Sequence, residues 1–328
     1  MAHAVESMMF SGETPWHGLG TRVPADVTSD QVDELAGLDW KVDMKLIQVA
    51  GGHTVPGYRA VVRSSDSKVL GVVSELYQPI QNETVRQVCD AIVGKGGAYY
   101  HTAGSLNGGE DVWYLLKLPT VLRLGNDITE DFLLATSNHA AKRKLRVLPT
   151  KIRVVCQNTL NLALGKAGAD GISISHFGDA EGRLSEATRV LQAAATYSKD
   201  FNTIAERLYA YQYKPAQLAQ LTAALFPAKP AADDDSDEPE VHWLTSRNRE
   251  KVEELFVTGK GHDKIKGTAW AALNAVAEYS DWLRGKSETR VASAWFGDGR
   301  KMKQKAFAVI RAQVDGSYSP AKSRALAA

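Results

Sequence analysis

The pair Asn107-Gly108 constrains the fold of this chain more than any other feature. It lies between two strand-like runs, AYYHTAGSL and EDVWYLLKL. A type I′ turn requires positive φ at both central residues, and Asn-Gly meets that requirement best. The sequence therefore predicts a β-hairpin here. Further strand-like runs follow it in TVLRL, DFLLATS and TKIRVVC, so we expect an antiparallel sheet.

A second constraint is a long helical pattern from Glu181 to Tyr213. Apolar residues recur along it at three-four spacing, and others flank this stripe every seven residues. Such a wide stripe predicts burial against another element. That element lies either in the same chain or in a second copy, so a homo-oligomer stays open.

These patterns predict an α+β fold: a twisted antiparallel sheet with packed helices, then a long helix and a mostly helical C-terminal region. We divide the chain into an antiparallel α+β domain (1–178), the long helix with a helical extension (179–226), an acidic, proline-containing linker (227–240) and a helical C-terminal region (241–328). The linker composition is typical of disorder.

Composition narrows the class of protein. The 328 residues contain two cysteines and no apolar run long enough to span a membrane. The first residues lack a basic, then apolar, signal-peptide pattern. We expect a cytoplasmic protein in a reducing compartment. The histidines and cysteines show no metal-ligand spacing, and no phosphate-binding glycine motif is present, so we expect no metal and no cofactor.

Charge is strongly segregated although the net charge is only +1. The segment 132–169 contains seven basic residues and no acid, whereas 233–240 contains six acids and no base. Cations that converge on one groove bind phosphates. The candidate phosphate ligands are Lys142, Arg143, Lys144, Arg146, Lys151 and Arg153. The alternative is an ordinary solvated charged face.

Aromatic side chains near these cations could stack on nucleobases. Tyr100 and its neighbours Tyr99, Trp113 and Tyr114 are predicted on adjacent strands. Trp16 and His17, in the glycine-rich stretch PWHGLG, are further candidates. The alternative for these two residues is that Trp16 fills an edge of the core and His17 is solvated.

The stretch KIRVVCQNTLNLAL places polar groups between a predicted strand and a predicted helix that Asn158 or Thr159 can cap. Asn158 is a candidate nucleic-acid ligand at this junction, where free backbone N–H groups favour anions. Cys156, near two cations, is a candidate nucleophile. Buried cysteines are common, however, and no protease or phosphatase signature surrounds Cys156. We therefore assign no catalytic residue.

Several separated motifs together resemble one known family. They are PWHGLGT, LYQPIQNE, TAGSLNGGEDVWYLLKL, TKIRVVCQNTLNLAL, GTAWAALNAVAEYSDW and SAWFG. The chain resembles the phage/plasmid-like proteins built on domain of unknown function 932. That resemblance implies an accessory protein of a bacteriophage, plasmid or other mobile element. At the level of the fold alone, the predicted sheet with a helix across it is similar to single-strand annealing proteins.

The leading hypothesis is a non-catalytic protein that binds single-stranded DNA or another nucleic acid in replication or recombination, with strand annealing as one form of that role. The first alternative is an enzyme with a pocket built from Cys156, Asn158, His17 and His101, acting on a small or nucleotide substrate. The second is an interaction protein that antagonises a host defence through the long helix.

Overall fold

A computed structural model describes residues 5–12, 20–24, 27–153, 159–160, 162, 171–174, 180–228, 243–286 and 289–319. The strands in these ranges are β1 (Val5–Ser11), β2 (Thr21–Val23), β3 (Val42–Gln48), β4 (Thr54–Arg63), β5 (Val69–Ser74), β6 (Tyr99–Leu106), β7 (Asp111–Leu124), β8 (Asp127–Asn138), β9 (Arg146–Arg153) and β10 (Ile172–Ser173).

Within the described residues the strands form two sheets. The larger has seven strands in the order β10-β9-β8-β7-β6-β1-β2, and the smaller has the order β3-β4-β5. All pairings are antiparallel except that of β1 with β2, which is parallel. The predicted fold class is confirmed, although the sequence did not predict the separate small sheet or the strand β1.

The predicted hairpin is confirmed. Asn107 and Gly108 have φ values of 54° and 70°, and they connect β6 to β7. Leu106 pairs with Asp111, so four residues, not two, separate the paired positions. Gly109 also has positive φ, at 89°, which explains why the loop tolerates the extra length.

The helices are α1 (Ser29–Ala36), α2 (Asn82–Gly96), α3 (Ala180–Ala210), α4 (Pro215–Leu225), α5 (Trp243–Thr258), α6 (Ala269–Glu278), α7 (Arg290–Phe296) and α8 (Asp298–Val314). A π-helical turn, Tyr279–Leu283, extends α6. Thr268 caps α6, because its side chain accepts a hydrogen bond from the Ala271 N–H.

Helices cover both faces of the larger sheet. Successive side chains of a strand point to opposite faces, and β8 shows the result. Leu133 and Ala135 pack with α1, α2 and the first half of α3, whereas Phe132 and Leu134 lie in a separate cluster with Trp295 of α7. The sheet therefore has no open face in the region of β8.

The long helix packs within its own chain. Its buried residues include Val190, Ala194, Tyr197, Phe201 and Leu208. The second half joins β7, α4, α5, α6 and α8 in one core centred on the fully buried Trp270. The apolar stripe is thus satisfied by intrachain contacts, as one of the two interpretations predicted.

The prediction that Thr159 caps a helix at the polar junction is wrong, because Leu160 and Leu162 are not helical. Thr159 instead forms an antiparallel bridge with Ile152, and the Leu160 N–H donates to the Lys151 carbonyl at 2.7 Å. The described residues on either side of the junction therefore approach each other like the two arms of a hairpin. Asn158, the other residue predicted to cap this helix, lies outside the described residues, as does most of the linker 227–240.

In the described part of the chain, no helix is both long enough and apolar enough to cross a bilayer.

Candidate functional site

Three predicted phosphate ligands lie together at the end of β8. Residues 139–145 connect β8 to β9, and we call residues 140–145 the basic turn. Its residue Ala141 has a φ of 57°, a conformation that non-glycine residues rarely adopt. Lys142, Arg143 and Lys144 are all exposed there. The turn therefore presents three consecutive cations to solvent.

Two of these cations have carboxylate partners at the start of β7. Lys142 Nζ lies 2.7 Å from Glu110 Oε1, and Arg143 pairs with Asp111. The Asp111 carboxylate also accepts hydrogen bonds from the side chains of Asn107 and Asn138 at 2.8 and 2.6 Å. The Lys142 side chain is still 64% exposed and that of Arg143 38%. The acids thus position the cations without burying them.

A pair of aromatic residues that was not predicted from the sequence lies beside the basic turn. The Arg143 guanidinium carbon is 4.7 Å from the centre of the Phe296 ring, which is cation–π distance. Trp295 packs edge-on against Phe296 at 6.1 Å and against Trp113 at 5.7 Å. Both rings are only half-buried. They belong to the motif SAWFG, and its two adjacent aromatic residues were the sequence signal that could have identified them.

Lys151 does not belong to this surface, which corrects the prediction of a single groove. Its side chain is 0% exposed and ion-pairs with Asp131, whose side chain is also buried. The Lys151 ammonium donates to Ser198 Oγ at 2.9 Å and to Asn202 Oδ1 at 3.0 Å. A phosphate could reach Lys151 only by opening this network.

The other two predicted cations lie on β9. Arg146 is half-buried at the start of the strand, directly after the basic turn. Arg153 ends the strand, and its side chain lies outside the described residues. Arg146 is therefore the member of this pair that the structure brings near the basic turn.

Tyr100 does not offer a stacking surface, which corrects a second prediction. It is 3% exposed, and its hydroxyl donates to Asp90 Oδ1 at 2.5 Å. Tyr114 is fully buried, and its hydroxyl donates to Asp33 Oδ1 at 2.6 Å. Burial raises the pKa of both phenols, so they remain neutral donors. Arg86 completes this network by pairing with both carboxylates.

The predicted cysteine-centred pocket cannot be assembled from the described residues. Three of its four residues, His17, Cys156 and Asn158, lie outside them, as does the predicted stacking residue Trp16. His101 is described, and its ring packs edge-on against Phe132 at 5.1 Å. Burial lowers the pKa of His101 to about 4, with Lys117 adding to the shift.

His139, at the edge of the basic turn, is 1% exposed, and its Nε2 lies 2.9 Å from Asn82 Oδ1. Burial lowers its pKa from 6.5 to about 4, and Asp111 partly opposes the shift. Between these values the unfolded chain binds a proton that the folded chain does not. The contribution of His139 to the free energy of unfolding is therefore complete above about pH 6.5 and is lost as the pH falls toward 4.

His139→Gln should therefore flatten the fall in unfolding free energy between pH 6.5 and 4, by on the order of 2–3 kcal/mol. Urea titrations across this pH range measure the change, and His53→Gln, at an exposed position, is the matched control. Equal slopes for the wild type and His139→Gln would show that His139 is not the residue responsible.

A second buried lysine holds the polar junction. Lys303 of α8 is 0% exposed, and its ammonium lies 2.7 Å from Asp281 Oδ1. The ammonium also donates to Thr159 Oγ1 at 2.6 Å, while Asp281 Oδ2 accepts the Thr159 N–H at 2.9 Å. The sequence places a polar residue at Thr159 because buried charges from the C-terminal helices must be satisfied there.

Among the described residues, no cluster of histidine, cysteine or carboxylate side chains has the arrangement of a metal site.

The fold and the site define a class: an α+β protein whose seven-stranded sheet carries helices on both faces and an exposed basic turn at one end. A family model for a domain of unknown function, DUF932, matches residues 69–308, well over half of the chain. The chain belongs to this family. No curated protein and no solved structure matches the chain.

Proposed function

We propose that this protein binds single-stranded nucleic acid without catalysing a reaction. The surface is the basic turn together with the half-buried rings of Phe296 and Trp295. The observation that carries the proposal is the Arg143 guanidinium, 4.7 Å from the Phe296 ring and flanked by two further exposed cations. Cations beside aromatic rings are the combination that single-strand binding uses, since bases stack on the rings while phosphates contact the cations.

The carboxylates behind the turn are compatible with this role. Exposed ion pairs contribute little energy and are screened by salt, so a phosphate can compete with Glu110 for the 64% exposed Lys142 side chain. Arg143 differs because Asp111 is buried. We expect Arg143 to keep its carboxylate and to present its remaining N–H groups and its stacked face.

Because the larger sheet is covered, we expect the bound nucleic-acid strand to lie beside it and not across it. Because Tyr100, Trp113 and Tyr114 are buried, the proposal places bases at the edge formed by α7 and the basic turn, not across the sheet. Sequence-independent binding of this kind suits replication or recombination of a mobile element, and strand annealing would be one form of it.

The double variant Lys142→Gln/Lys144→Gln tests the proposal without altering a buried group. Each single-strand phosphate contact contributes about −0.7 to the slope of log K against log salt. Losing two contacts should therefore make the slope less negative by about 1.4 and weaken binding at low salt. Fluorescence anisotropy with a labelled oligothymidylate over a salt series measures both quantities.

The matched control is Lys41→Gln/Lys45→Gln, which removes the same charge from exposed positions at the start of β3. It should leave the salt slope unchanged. If both double variants bind like the wild type, or if the wild type does not bind the oligonucleotide, the proposal is wrong. Phe296→Ala should weaken binding at every salt concentration without changing the slope, because it removes stacking and not charge.

A further inference from the structure

A cleft lies between α3 and a distorted part of β7, on the face of the larger sheet that α3 covers. The pairing of β7 with β8 shifts register between Lys117 and Val121. Pro119 lies inside this interruption, where its lack of an N–H favours a break in the ladder. The opening, which we call the α3 cleft, has a volume of about 510 Å³. This is within the range of small-molecule sites.

The floor of the α3 cleft is a buried polar network. The Lys151–Asp131 ion pair lies at its centre. Asp131 Oδ2 accepts hydrogen bonds from Thr120 Oγ1 at 2.6 Å and from Ser198 Oγ at 2.9 Å. Asn202 Oδ1 accepts from Lys151 at 3.0 Å. Thr120, Ser198 and Asn202 all line the cleft as well. Each of them therefore connects the buried pair to the open space.

This arrangement is costly if its only role is packing. Replacing a buried ion pair by apolar residues of similar volume is often neutral or stabilising. Burial also lowers the pKa of Lys151, in keeping with a side chain that is 0% exposed. Perturbed groups beneath a cleft with converging polar side chains are typical of binding sites.

The lining indicates the chemistry of the ligand. The floor has no net charge because Lys151 and Asp131 neutralise each other, and the exposed Lys199 and Glu206, which also line the cleft, carry opposite charges. Apolar side chains form the walls: Leu118, Pro119, Leu191, Ala194 and Ala195. Such apolar walls favour burial of the faces of a heterocyclic ring. Asn202 retains its NH₂ group and a second lone pair on Oδ1, so it can pair with a planar donor–acceptor edge as asparagine does with a nucleobase.

We propose that the α3 cleft binds a neutral molecule of nucleoside size, whose heterocycle lies between the apolar walls and hydrogen-bonds with Asn202. This site is separate from the basic turn. Asp131 in the floor of the cleft lies on β8, and the basic turn follows the end of that strand; the seven steps from Asp131 to Asn138 span roughly 24 Å. The two sites also differ in chemistry, since one is cationic and exposed and the other neutral and recessed. The inference does not depend on the proposed function.

Binding of adenosine, guanosine, cytidine and uridine to the full chain tests the inference. Saturation-transfer NMR, followed by titration of the strongest binder, should show at least one nucleoside in contact with the protein. Ala195→Phe fills the cleft from an exposed position on its wall and should weaken that binding by about tenfold or more. Thr196→Phe, the next residue on α3 and also exposed, does not line the cleft and should bind normally.

A second variant addresses the floor. Asn202→Ala should also weaken binding, with unchanged circular dichroism showing that the fold is retained. Failure of all four nucleosides to bind the wild type would overturn the inference, as would equal binding by Ala195→Phe and wild type. Competition by inorganic phosphate would overturn the assignment of a neutral ligand. Oligonucleotide binding by Ala195→Phe should be normal, which keeps the two proposals distinguishable.

Discussion

Asp131→Ala should lower the free energy of unfolding by about 3–5 kcal/mol. The carboxylate is the counter-charge of Lys151, whose side chain is 0% exposed. Its removal leaves a buried ammonium group with only the neutral Ser198 and Asn202 oxygens as partners. It also leaves Thr120 and Ser198 without their acceptor. Urea unfolding at neutral pH measures the loss.

The control for this prediction removes both charges. Asp131→Leu/Lys151→Met replaces the pair with apolar groups and should cost far less than the single change, because no uncompensated charge remains. If the double variant is as unstable as Asp131→Ala, the loss arises from disturbed packing and not from the unpaired ammonium. A single change that costs less than about 1 kcal/mol, the worth of an exposed pair, would show that water reaches Lys151.

Trp270→Ala should cost about 3–5 kcal/mol because it opens a cavity at the centre of the helical core. Trp270 is fully buried, and its ring packs edge-on against Phe201 of α3 at 6.0 Å. Its indole N–H donates to Asp127 Oδ2 at 3.0 Å, at the start of β8. The residue therefore connects the C-terminal helices to both the long helix and the sheet. Denaturant unfolding followed by circular dichroism measures the change.

Trp270→Phe separates the two contributions. Phenylalanine retains much of the packing but has no N–H for Asp127, so the cost should be about 1.5–3 kcal/mol, the range for a hydrogen bond to a charged group. Trp295→Ala, at a half-buried ring of α7, should cost less than Trp270→Ala. The reverse order would mean that the contacts of α7 with the sheet, and not the helical core, dominate stability.

Local chemistry explains which parts of the fold were predictable. The hairpin follows from the positive φ that Asn107 and Gly108 adopt readily, and the cap of α6 follows from one threonine hydroxyl. The long helix was predictable because its apolar spacing repeats over many turns. The strand β1 has no such local signal. It belongs to the sheet because β6 and β2 pair with its two edges.

The candidate site was only partly predictable because charge partners come from distant parts of the chain. The acid-free run appeared unpaired in sequence, yet Glu110 and Asp111 face it across the start of β7. Lys151 resembled its neighbours in charge, but strand alternation places it on the face that α3 covers, where Asp131 is opposite it in register. Phe296, some 150 residues away from Arg143, could be placed only by the fold.

The position of Lys303 has a consequence for how this chain folds during synthesis. Thr159 and Asp281 obtain their ammonium partner, and Phe132 obtains its cover from Trp295, only after α7 and α8 have been synthesised. A nascent chain that ends before residue 290 therefore lacks Trp295 over the apolar sheet face and the ammonium partner of Asp281. Truncation before residue 290 should therefore yield aggregation-prone fragments instead of a smaller folded protein.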